Sequence, residues 1–151
     1  MKSRHTASRG GTSAIILGGV GDTTFKTPLY SSRPAAGFPA PGDDQIENVL
    51  DINDLVVQNP SATFFVRVEG DSMEGAGIFS GDVLVVDRSI TPTQDSVVVA
   101  AVYGEMVVKR LRIEGGKCLL VSENEHYKPI EVGEDAECRV WGVVVGSVRV
   151  F

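Results

Sequence analysis

The sequence predicts a mainly β fold: a compact domain of mostly antiparallel strands with one short helix, preceded by a flexible N-terminal arm. Three features point there. Six runs between Thr63 and Val150 are rich in β-branched and aromatic residues and are separated by short turns, several bearing glycine. Helical spacing behind a capping residue stands out only near Asp51. The first 36 residues carry Gly, Ser, Thr and Pro without sustained apolar periodicity.

Taken in order, Met1 to about Thr27 is expected to lack regular structure. Pro28 to Asp44, punctuated by Pro34, Pro39 and Pro41, is expected to be extended and open to proteolysis. Asp51 to Asn59 reads as a short helix: Asp51 can cap it, Ile52, Leu55 and Val56 share a face, and Pro60 stops it. Strands are then expected over Thr63–Glu69, Asp82–Asp87, Ser96–Tyr103, Glu105–Ile113, Lys117–Ser122 and Cys138–Val150. Tyr103-Gly104-Glu105 and Glu114-Gly115-Gly116 look like tight hairpin turns. Val97 to Val102 is continuously apolar rather than alternating, which predicts a central strand covered on both faces. Strands joined by such short connections are expected to curl into a partly closed barrel.

Composition narrows the function classes. A chain of 151 residues suffices for one domain with a real core, not two. No apolar run approaches the ~20 residues of a membrane helix. Ala14 to Val20 is short and glycine-rich, with no clear small-x-small cleavage site after it, so a cytoplasmic, non-membrane protein is expected. The net charge of −6 argues against broad electrostatic binding to nucleic acid. The charge is uneven: residues 1–36 hold five Lys/Arg and one acid, and residues 37–151 hold nine Lys/Arg and nineteen acids. A basic arm thus precedes an acidic domain. Cys118 and Cys138 lie in apolar strand patterns without metal-ligand company and read as core residues. No metal or cofactor is expected. Nothing near His126 supports a Ser-His-Asp triad.

The chemistry suggested by the chain lies in Gly70-Asp71-Ser72-Met73 and in Met106-Val107-Val108-Lys109-Arg110-Leu111. A serine needs a base to remove its proton, and a lysine can be that base only when neutral. Burial among apolar groups depresses a lysine pKa, and Val107, Val108 and Leu111 could supply that setting. Each half alone is weak, since Gly-Asp-Ser turns are common and strand lysines usually point to water.

The two halves gain weight from a longer pattern. Gly70 to Asp87 (GDSMEGAGIFSGDVLVVD), followed by MVVKRL, resembles the LexA/UmuD group of self-cleaving Ser–Lys peptidases. PSATFFVRVEGDSM, DVLVVDRSIT and VWGVVVG resemble its UmuD branch, with the plasmid-borne MucA relatives, and the likeness runs from about Pro28 to Val148. The resemblance implies a LexA/UmuD-type peptidase domain with Ser72 as nucleophile and Lys109 as general base. Backbone N–H groups of Asp71 and Ser72 would serve the oxyanion. It also implies self-cleavage of a small-residue–Gly bond before Phe-Pro, here Ala36–Gly37. Residues 1–36 would then be the arm removed, and residues 37–151 the peptidase domain. Ala36 suits a tight pocket, Gly37 allows close approach, and the flanking prolines keep the segment extended. The implied partners are a second copy in a homodimer, a UmuC-type Y-family DNA polymerase, and a RecA–single-stranded DNA filament that stimulates cleavage. No specific DNA binding is implied. About 24 residues precede the matching region, and the resemblance assigns them no role.

Three other readings compete. A LexA-type or phage-type repressor would need a DNA-binding part, and the region before Gly37 shows no amphipathic helix. A signal peptidase would need a membrane anchor. A non-catalytic β scaffold for a polymerase would be indifferent to Ser72.

Overall fold

In the computed structural model, residues 12–21, 26–30, 46–132 and 138–151 are described. The apolar runs of the second half pair as one antiparallel sheet. Its strands are β1 (Ser13–Gly19), β4 (Thr63–Glu69), β5 (Val83–Asp87), β6 (Val97–Val102), β7 (Glu105–Glu114), β8 (Lys117–Val121), β9 (Ile130–Val132) and β10 (Cys138–Val148). The order is β1-β4-β5-β10-β6-β7-β8-β9, with β1 also pairing with β7, so six of the strands return on themselves as a ring. The expected curl into a barrel is therefore present, and the N-terminal strand completes it.

The continuous run of β6 is explained by two cores. Val99 joins Val66, Val68, Met73, Leu84, Val86 and Val108 on one side. Val98, Ala100 and Val102 join Val107, Leu111, Leu120 and Val143 on the other. Alternate residues of one strand thus feed opposite clusters, and none has to face water. Cys118 and Cys138 are half-buried against the second cluster.

Turn chemistry sets the registers. Tyr103 and Gly104 have φ of 49° and 81°, and Gly115 and Gly116 have 59° and 79°, the left-handed pairs that two-residue hairpins require. Gly142 marks a close approach: a Cβ there would lie 2.7 Å from Val86 Cγ1.

A second unit consists of β2 (Lys26–Tyr30) paired antiparallel with β3 (Ile46–Asp51), followed by α1 (Ile52–Val56). Asp51 caps α1 by accepting the Asn53 N–H at 2.8 Å. The helix is shorter than the expected Asp51–Asn59: Val57 is already extended, and a separate 3-10 turn follows over Pro60–Ala62. Division into compact units falls after residue 20 and after residue 58. The expected boundary at residues 36 and 37 lies outside the described residues.

Four strands depart from expectation. The stretch to Thr27 was expected to lack regular structure, yet Ser13–Gly19 form β1. Its sequence, SAIILGG, has no strand-like alternation, and it is extended because the edges of β4 and β7 supply its hydrogen-bond partners. β2 and β3 likewise form by pairing with each other across a proline-rich stretch. β9 has three residues, too few to show a period. No described helix is long and apolar enough to cross a membrane.

Candidate active site

Ser72 sits where β4 ends and the chain must reverse. Gly70, with φ of 113°, turns the backbone, and a 3-10 turn over Glu74–Ala76 follows, stopped by Gly77 in the left-handed region. Met73 is fully buried in the first core cluster and pins the turn from below. Ser72 itself is fully buried.

Lys109 lies on β7, opposite Val98 of β6. Strand alternation puts it on the same face as Val107 and Leu111, toward the second core cluster, and it is only 1% exposed. Burial pushes its ammonium down from 10.5 to about 8. Its Nζ donates to Ser122 Oγ at 2.5 Å and lies 5.4 Å from the centre of the Tyr127 ring.

Ser122 and Tyr127 escaped the sequence reading. Ser122 was within reach of it: six residues back from Gly115 is Lys109, and six on from Gly116 is Ser122. The β7–β8 register around that turn makes them neighbours. Tyr127 left no such signal. Its hydroxyl donates to Asp71 Oδ1 at 2.6 Å, and the Asp71 carboxylate holds the phenol above its ordinary value of 10.0. The Asp71 side chain therefore fixes the ring that flanks Lys109.

The segment after β8 ties both halves of the site. The Glu123 carboxylate pairs with Arg110, the residue after Lys109. Its carbonyl accepts the Gly75 N–H at 3.0 Å, from the turn that carries Ser72. Asn124 Nδ2 donates to the Asp71 carbonyl at 3.2 Å.

Ser72 has its own partner in Thr12. The Thr12 N–H donates to Ser72 Oγ at 2.9 Å, and the Ser72 N–H donates to Thr12 Oγ1 at 2.8 Å. The Ser72 hydroxyl donates to the same Oγ1 at 2.5 Å. The Thr12 carbonyl accepts the Val108 N–H at 3.0 Å. One residue thus bridges Ser72 to the neighbour of Lys109, while the hydrogen bonds of Ser72 and Lys109 run to Thr12 and Ser122. The Ser72 N–H, one of the two expected oxyanion donors, points into this site.

Ala36 and Gly37, the expected cleavage site, lie outside the described residues. His126 is exposed, and its N–H donates to Asn124 Oδ1 at 3.0 Å. Among the described residues, no group of three or more His, Cys, Asp or Glu is placed to hold a metal ion.

The Peptidase S24-like family matches residues 28–145. Protein MucA of Salmonella typhimurium is 42% identical over 122 residues, covering 80% of this chain and 83% of the relative. Protein ImpA of Shigella flexneri is 46% identical over 91 residues, 60% of this chain and 63% of the relative. LexA repressor of Pseudomonas chlororaphis is 39% identical over 118 residues, 78% of this chain but 58% of the relative. The family match takes in Ser72, Lys109 and Ser122 and begins after β1. On the strength of that span and of the identity to MucA over four fifths of its length, the chain belongs to the peptidase S24-like family, in the company of MucA-type proteins.

Proposed function

We propose that this chain is a serine endopeptidase that cleaves its own Ala36–Gly37 bond with Ser72 and Lys109. Its trimmed form, residues 37–151, would serve an error-prone DNA polymerase in the DNA-damage response. The observation that carries the chemistry is the state of Lys109: a fully buried lysine, brought to about 8, facing a hydroxyl and a ring instead of a carboxylate. A structural lysine would be expected to have an acidic partner or access to water. One held near neutrality is suited to moving a proton.

In this reading Ser72 Oγ attacks the Ala36 carbonyl carbon and its proton passes to Lys109 Nζ. The Ser72 N–H donates to the oxyanion. Collapse breaks the C–N bond, and the Lys109 ammonium protonates the Gly37 nitrogen as it leaves. Water then attacks the Ala36–Ser72 ester, with Lys109 as base again, and releases the Ala36 carboxylate. Ser122 holds Nζ in place throughout. The polymerase, the RecA–single-stranded DNA filament and the homodimer enter by likeness to the UmuD branch.

The test is intact mass after mild alkaline incubation, where a 115-residue product beginning at Gly37 is expected. Ser72→Ala, Lys109→Ala and Lys109→Arg should each give none, since a guanidinium stays protonated at working pH. A stable full-length parent chain, even with an activated RecA filament, would refute the reading.

A further inference from the structure

Two sheet edges face one slot beside Ser72. One belongs to β4, whose opposite side is taken by β5. The other is the part of β7 that precedes Arg110, where pairing with β8 begins. An extended segment entering the slot finds backbone partners on both sides, the arrangement by which a peptide is bound as an added strand.

The slot is filled by the chain itself. β1 runs antiparallel to β4, from Ser13 opposite Glu69 to Gly19 opposite Phe64, while Ser13 also lies opposite Val107 of β7. At its head, Thr12 engages both the hydroxyl and the N–H of Ser72. Its N–H takes a lone pair of the nucleophile, and its Oγ1 receives both the Ser72 hydroxyl and the Ser72 N–H. The donor needed for an oxyanion is therefore committed to a side-chain hydroxyl. This stretch also lies outside the family match, which begins at residue 28.

The occupant is weakly anchored. Thr12 and Ala14 are buried, but Ile15, Ile16 and Leu17 each remain 47–48% exposed, and a bulge between Ile16 and Gly18 interrupts the ladder. Backbone pairing, one threonine and the small Ala14 side chain hold the strand, so another extended segment can replace it at little cost in apolar burial.

We propose that residues 12–19 are a built-in competitor for the substrate groove: they occupy the slot between β4 and β7 and block Ser72, and the scissile segment reacts only when β1 is displaced. This regulation rests on the self-cleavage reading, but the occupancy of the groove can be tested apart from it.

The experiment uses the full chain carrying Ala14→Glu, which places a carboxylate where β1 meets the core and should eject the strand. Ile16→Pro, which weakens the same ladder, serves if Ala14→Glu does not fold. Hydrogen exchange reports the fold through β6 and β10, and the displacement through the amides of β1 and of Val108. The probe is a fluorescein-labelled peptide of residues 12–19. The folded variant should bind it and the parent should not, and the variant should cleave itself ~10-fold faster or more, with the added peptide slowing it again. A folded, displaced variant that does not take up the peptide, or a parent whose β1 amides exchange like an unstructured chain, overturns the proposal. Peptide uptake without cleavage at Ala36–Gly37 in any variant upholds the occupancy and refutes the self-cleavage reading.

Discussion

The pH dependence of self-cleavage follows directly from the burial of Lys109. With its pKa at about 8, roughly 9% of Lys109 is neutral at pH 7 and about 91% at pH 9. The cleavage rate should rise about tenfold across that interval and then level off. A lysine left at 10.5 would be neutral in only about 0.03% of molecules at pH 7. Its rate would climb about a hundredfold over the same interval and keep climbing. The break in the profile therefore separates a buried base from an exposed one. Displacement of β1 scales every rate alike and leaves the break in place. Tyr127 does not supply it, because Asp71 holds its phenol above the range scanned. Initial rates by intact mass from about pH 6 to about pH 10, with circular dichroism as the control for folding, give the profile. A rate flat to about pH 9, or one rising without a break to about pH 10, would refute the argument that burial prepares Lys109 as the base.

The same shift has a stability cost. A lysine lowered in the folded state destabilises it fully below about pH 8, and the penalty fades as pH rises to 10.5; the full amount is roughly 3 kcal/mol. Lys109→Met removes the penalty but strands Ser122 Oγ, worth about 1–2 kcal/mol. Urea denaturation should show the variant about 1–2 kcal/mol more stable at neutral pH, with the advantage gone in strong alkali. Gly75→Ala should cost about 2–3 kcal/mol, because its Cβ would lie 2.5 Å from the Glu123 carbonyl, and it should slow cleavage by prying the Ser72 turn from the Ser122 segment. Ser122→Ala should lower the plateau rate by roughly tenfold or more with the break retained, while Ser122→Thr keeps most of it. After cleavage, residues 1–36 should co-elute with residues 37–151 on size exclusion until urea is added, because β1 can return to its place beside β4 once the cleaved ends leave and β2 stays paired with β3. Immediate separation of the fragments would contradict that pairing.

Much of the sheet could be read from local pattern. β4 to β8 and β10 are marked by apolar runs, and the two hairpin turns by Tyr103-Gly104 and Gly115-Gly116, where backbone geometry dictates the residue type. The doubly covered β6 was visible in its unbroken run. Ser72 and Lys109 were legible for the same reason: a serine at a glycine-marked turn and a lysine inside an apolar strand are local anomalies. Even the bond from Lys109 to Ser122 follows from counting across a turn. Beyond local pattern, only tertiary structure decided. The strand at Ser13–Gly19 has no alternation of its own and becomes a strand by borrowing the edges of β4 and β7. Thr12 meets Ser72 across 60 positions, and Tyr127 reaches Asp71 across 56. Backbone pairing is indifferent to side-chain identity, so a segment recruited by an open edge carries no periodic mark. That is why the serine and the lysine stood out in the sequence, and the strand paired beside Ser72 did not.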